Sequence, residues 1–535
     1  PETCGSRRGI LPASFTKEGA QDALGKDSMY LKSIGLSAGA LALCSTSALA
    51  QMTMPTDASK TCLSDISSWF GGTVTENGAV SPPVSVFFTR NNPNDGQGPQ
   101  ICNFYQWGAQ MFLWLTSPED DGLVLDGEAI YNVLPAVNNV RKFQNAASVD
   151  ALNVALRSEK GDVIGEVTQA GSAGGTLMSQ GKSVVYYGVH TNDVYADFLT
   201  MQKNTALGGS ITDFPVNEKD LAAVLEYVGE HDLPFPKAPE TLAMELKTSW
   251  IEADKVETDI ADYVTMPAVI PTYTSNADNT VWTLSGEKST TLALVGIHIV
   301  GTVQDHPEFV WATFEHISNA PDVSYWYDNG GAAPVEWAYD SSGTFNFITT
   351  GAAATGANVE CMTTTTNKTS GLQEITAETK NGVSVCAGGI VASDTVRTRP
   401  WGSKPYSPTD VTNGTATQEE FDKVVTNNTE LLSLNTDVLG QLIAGDPRKN
   451  YVQTGGIWTT TPSTGGNAPI PNQGGDQTAQ MRGSLGLYNA TMETYSQADA
   501  INCFVCHSLP NNATTSFGAF DLSHIYSQIE ALKID

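Results

Sequence analysis

The chain has 535 residues, with 58 Asp and Glu against 28 Lys and Arg and a formal net charge of -30. That charge disfavours nucleic acid and anionic lipid as partners, because both surfaces are themselves negative; the length allows roughly two or three domains, or one large core with satellites. Apolar residues make up 40% and charged ones 16%, with Thr, Ser, Asn and Gly plentiful, so the expected fold class is α+β: a β-rich, sandwich-like body with a few helices and a short C-terminal helical segment.

Residues 1–28 precede Met29 and are expected to lie upstream of the natural start. Met29, Lys32, the apolar run from Ile34 to Leu43 and Ala48-Leu49-Ala50 before Gln51 have the layout of a signal peptide over 29–50. Its apolar run is too short for a stable membrane span, so the mature chain is expected in the periplasm or outside the cell. Cys62, Cys102, Cys361 and Cys386 then meet an oxidising compartment. Of their three possible pairings the local one, Cys62–Cys102 and Cys361–Cys386, is expected.

Residues 51–400 read as the β-rich body, starting with a Ser/Thr/Gly/Pro-rich opening in which Val84 to Phe88 is strand-like. Phe104, Trp107, Met111, Phe112, Trp114 and Leu115 recur at three- and four-residue spacings, which predicts an amphipathic helix over 103–116, stopped at Ser117-Pro118. Strands are expected at 184–190, 243–251, 281–284 and 291–300, with a helix from Asn217 to Val228. Leu294 to Val300 and Phe309 to His316 read as a hairpin that places His298 and His316 on one face. Segments 352–392 and 455–478 look like long loops. Within the expected helix-and-linker region 401–480, Thr417 with Glu420 forms a capping box ahead of a helical apolar pattern that ends at Gly445 and Pro447, with a break near Asn427-Asn428.

Residues 481–535 carry the most specific signal, Cys503-Phe504-Val505-Cys506-His507. In C-x-x-C-H the two thiols lie one helical turn apart and can both bond a haem, while the adjacent imidazole ligates the iron; His507 is the expected axial ligand of one covalent haem c. A zinc half-site would want a second close Cys or His pair, and a thioredoxin-like pair would want the motif early in a βαβ unit. Neither context is present in the sequence. For the second iron ligand the downstream candidate is His524, at the start of an expected terminal helix. Leu522, Ile525, Ile529 and Leu532 form its apolar stripe, and at about 100° per residue His524 points away from them. Met492, Met481, His298 and His316 are the rivals.

Gln110 to Pro118, Glu245 to Trp250, Gly296 to Val300, Trp311 to His316 and the terminal C-x-x-C-H with Leu522-Ser523-His524 together resemble a bacterial family of large secreted cytochrome c-like proteins. The resemblance implies a single covalent haem and export. The expected function is haem binding and electron transfer to a redox partner protein, with bis-imidazole iron if His524 ligates. A haem-dependent oxidoreductase of peroxidase or oxygenase kind requires an open iron position instead, and a surface or carbohydrate-binding module is the non-redox alternative. Oligomeric state is open at this level.

Overall fold

The computed structural model describes residues 54–88, 101–120, 122–136, 140–149, 152–153, 175–204, 213–367, 369–370, 372–459, 481–497, 503–507, 519–523 and 525–534. The segments read as upstream sequence and signal peptide lie outside these residues, as does His524. All described residues belong to one compact unit spanning Leu49–Asp535.

Twelve strands form one sheet: β1 Ile130–Val133, β2 Phe143–Asn145, β3 Leu152–Asn153, β4 Tyr186–Asn192, β5 Met244–Glu252, β6 Thr265–Ser275, β7 Val281–Val303, β8 His306–His316, β9 Met362–Thr366, β10 Gln373–Ala377, β11 Tyr451–Thr459 and β12 Met481–Gly483. The order is β12-β11-β8-β7-β5-β4-β1-β2, and β6 and β10 also pair with β7, β3 with β6 and β9 with β10. The β3–β6 pair is parallel and the other pairs antiparallel. The fold is thus the expected β-dominated α+β class. Its spine is β7, where two strands were expected: the first part pairs with β6 and β10, the second with β5 and β8.

One face of the sheet is covered by α1, Ile101–Leu115. Phe112 stacks on Phe314 with centroids 4.6 Å apart, and Phe104 on Trp458 at 4.4 Å. The helix can lie this close because Gly108 has no side chain; a Cβ there would stand 2.8 Å from both Ala312 Cβ and Gln453 Nε2. It ends where Thr116 and Ser117 hydroxyls turn back onto the Phe112 and Leu113 carbonyls, before Pro118. The Cys62–Cys102 disulfide ties its first turn to the opening segment, and Cys361–Cys386 is also formed. Residues 85–87 within the strand-like stretch form a 3-10 turn instead.

The other helices are α2 Asp193–Asn204, α3 Glu218–Glu230, α4 Pro408–Asn413, α5 Gln418–Gln441 and the short α6 Cys503–His507. Asn217 caps α3, and the Thr417–Glu420 box caps α5, as their sequences imply. No break interrupts α5 at Asn427-Asn428. Those amides turn away from their own backbone to donate to the Trp401 carbonyl at 2.8 Å and the Trp326 carbonyl at 2.9 Å.

Strand β11 is a departure from the expected linker. All nine of its residues are buried, and its Gly455 and Gly456 are close-approach positions: a Cβ would meet Leu487 at 2.5 Å and the Tyr105 ring at 3.2 Å respectively. Likewise β9 and β10 form within the stretch read as a loop. The expected terminal helix is replaced by a 3-10 turn at Ala519–Leu522 and turns over 525–528. Its apolar positions Leu522, Ile525 and Ile529 are nevertheless buried.

A buried ionic cluster fixes the segment that later closes the site. Arg397 Nε donates to Glu315 at 3.0 Å and Nη1 to Asp322 at 3.4 Å, while the other Glu315 oxygen accepts the Ala490 N–H at 2.9 Å. Arg397→Met would leave both carboxylates buried without the guanidinium. A loss of about 3–5 kcal/mol is expected in urea unfolding; a change below about 1 kcal/mol, the size of an exposed pair, would show that the cluster clamps nothing.

Candidate functional site

Strand alternation assembles the site. Val189, Lys247, His298 and Thr313 lie in one row across β4, β5, β7 and β8, and Thr191, Glu245, Val300 and Trp311 lie in the next. Members of both rows share a face, while Ile297, Ile299, Ala312 and Phe314 between them point to the α1 side. On the first face sits the C-terminal segment. A cavity of about 330 Å³, at the small end of the range for ligand pockets, opens there; Cys503, His507, Trp311, His298, Lys247, Glu245, Glu493 and Arg141 border it together with Val189, Val300 and Ile525.

The five-residue α6 is anchored by Phe504, which is fully buried against Trp311. Trp311 also meets the His507 ring edge-on at 4.4 Å. His507 Nδ1 donates to the Leu522 carbonyl at 2.6 Å. A carbonyl only accepts, so this bond puts a ring proton on Nδ1, and in the neutral ring Nε2 is then the metal-binding atom. The Cys506 side chain lies outside those described.

His298 borders the same cavity. Its Nε2 donates to both oxygens of Glu493, at 3.0 and 3.2 Å. Lys247 Nζ stands 3.5 Å from the same carboxylate, and the Asn489 N–H donates to it at 2.9 Å. Burial opposes ionisation of Glu493, but the positive charges of His298 and Lys247 with these hydrogen bonds outweigh it and bring its pKa down to about 2. The segment carrying Glu493 is held on the sheet by Asn489 Nδ2, which donates to Thr313 Oγ1 and the Phe314 carbonyl, and by the Thr491–Ser249 hydroxyl pair at 2.6 Å.

His316 corrects the expectation that the two hairpin histidines share a face. Thr313 pairs with His298, and His316 lies three residues further on, on the opposite side. There it stacks on Tyr263 at 3.7 Å, donates to the Asp262 carbonyl and accepts from the Ser318 N–H. Burial pushes its pKa down to about 3, so it is a neutral core residue. Met492 is buried in the cluster with Tyr187 and Phe347, and Met481 in an apolar cluster with Ile457 and Leu487. His524 falls outside the described residues, but its neighbour Ser523 donates to Glu245 at 2.6 Å and accepts from the Tyr195 hydroxyl.

Among the described residues no group of three or more His, Cys, Asp and Glu could hold a metal ion. A haem does not need one, since the porphyrin supplies four ligands and the protein only the axial groups. Of the groups a haem would use, the Cys503 thiol and the oriented His507 imidazole border the cavity, beside Trp311 and the charged Arg141, Glu245, Lys247 and Glu493. Sequence reasoning singled out Cys503, His507 and His298 but not Lys247, Glu245 and Glu493. The Glu245-x-Lys247 alternation within an apolar strand was a legible signal, whereas Glu493 reaches the site only through tertiary packing. No known family model, curated protein or solved structure matches the chain.

Burial raises the Glu245 carboxyl from 4.5 to about 7, against the pull of the Ser523 hydrogen bond, Arg141 and Lys247. The folded state therefore prefers the protonated acid. The stability this contributes is full below about pH 4.5 and is lost as pH rises through about 7. In Glu245→Gln the thermal midpoint should fall less steeply across that window than in the parent chain, measured by melting curves at stepped pH; an unchanged slope would mean that Glu245 ionises as an ordinary carboxylate.

Proposed function

We propose that the chain is an exported haem c protein of the cytochrome c-like kind, holding one haem through Cys503 and Cys506 with His507 on the iron, and that it passes single electrons to a redox partner. The observation that carries this reading is the His507 imidazole, turned by the Leu522 carbonyl at the rim of a cavity that Cys503 also borders. A bound haem would supply a one-electron iron centre there. The Leu522 carbonyl makes the imidazole a more basic ligand and holds its ring plane. Trp311, Val300, Val189 and Ile525 give the cavity an apolar side, which would favour the less charged, reduced state of a centre bound against it. Two disulfides suit an oxidising compartment, and no helix among the described residues is long and apolar enough to cross a membrane. A net charge of -30 favours a partner with a positive docking face.

A second reading, a haem-dependent oxidoreductase, draws on one observation: the Lys247–Glu493–His298 cluster places acid/base groups in the same cavity. As placed, His298 gives its Nε2 to Glu493, so ligating iron through that atom would cost it this bond.

Coexpressed with haem c maturation proteins, the chain is expected to gain one covalent haem, read as a c-type pyridine haemochrome and a matching mass increase. Changing both Cys503 and Cys506 to Ser should abolish the covalent adduct. A correctly exported chain with no c-type signal would overturn the proposal. Carbon monoxide added to the reduced protein then separates the two readings: an unchanged spectrum favours electron transfer through saturated iron, and a rapid shift favours the enzyme.

A further inference from the structure

The His298–Glu493–Lys247 cluster is more elaborate than a structural ion pair needs. His298 spends Nε2–H on Glu493, and Nδ1 has no hydrogen-bond partner among the described residues. Glu493 is itself held three ways, by His298, Lys247 and the Asn489 N–H, so the imidazole is oriented by a carboxylate that cannot easily swing. The histidine side chain keeps 15% of its surface open, and the cluster borders the cavity rather than filling the core. Arg141 on the same rim adds another positive charge, and Glu245, whose carboxyl burial raises to about 7, faces the same cavity.

We propose that this wall is a binding site for a small inorganic anion or its conjugate acid, with His298 Nδ1 as the contacting atom, Lys247 supplying charge and Glu493 acting as the positioning residue. The ring can serve either form of such a ligand. As an imidazolium its Nδ1–H donates to the anion, and as a neutral imidazole with the proton on Nε2 its Nδ1 accepts from the acid. The low local dielectric strengthens both contacts, and a carboxylate behind the ring stabilises its charged form, as in other His–carboxylate couples. This deepens the proposed function by giving the His507 cavity a ligand class, but the geometry it uses involves no haem atom.

Azide is the probe, followed by the infrared stretch of the bound anion on protein kept reduced, because ferrous haem does not ligate azide and the band then reads this wall whether or not haem is present. The full chain is expected to show a saturable bound-azide band. His298→Ala should weaken binding roughly ten-fold, the scale of one lost hydrogen bond to a charged group. His298→Gln, which keeps a donor, should recover part of that loss and shift the band. Glu493→Gln should weaken binding less than His298→Ala and change its pH profile, a response that a purely structural role would not give. Thermal midpoints of the variants control for folding. Absence of a bound band, or equal affinity in the parent chain and a folded His298→Ala variant, overturns this inference. A missing haemochrome signal would overturn the haem reading and leave this one standing or falling on the azide band alone.

Discussion

The register of β4, β5, β7 and β8 is the constraint on which the rest depends. Because successive residues of a strand face opposite sides, Lys247–His298–Thr313 and Glu245–Val300–Trp311 become two rows of one surface, while Ile297, Ile299 and Phe314 face α1. A slip of one residue would bury Lys247, Glu245 and His298 beneath α1 and expose the aliphatic set. The apolar core on the helix side therefore enforces the polar geometry on the other.

That second face is not left to solvent. The C-terminal segment folds onto it through Phe504, Leu522, Ile525 and Ile529, all buried, and Lys203 donates to the carbonyls of Tyr526 and Ile529. The segment holding Glu493 is fixed from beneath by Glu315, whose second oxygen is engaged by Arg397. The two ion clusters are thus joined through a few residues. One is buried, and the other borders a cavity, where its charges have something to meet.

Sequence and structure agree where the physics is local. The Asn217 cap, the Thr417–Glu420 box and the periodic faces of α1, α3 and α5 need only their own turns, and both disulfides close between cysteines near one another in sequence. They part where a distant neighbour decides. Gly455-Gly456 look like loop punctuation until Leu487 and Tyr105 press on them. The Asn427-Asn428 pair looks like a helix break until the Trp401 and Trp326 carbonyls accept their amides. Leu522, Ile525 and Ile529 have a helical spacing, yet bury themselves from turns because the sheet face and α2 together receive them.

At the site, the sequence by itself determined one residue set: two thiols and an imidazole at the C-x-x-C-H spacing, in Cys503, Cys506 and His507. Covalent spacing is a property of the chain and can be read from it. Which groups face that motif was decided only by tertiary structure. His298 was put beside it and His316 on the far side by strand register, while Lys247 came from β5 and Glu493 from the segment before α6. Pair distances across a sheet depend on a register that no short stretch of sequence contains, and that is why the composition of the cavity had to wait for the fold.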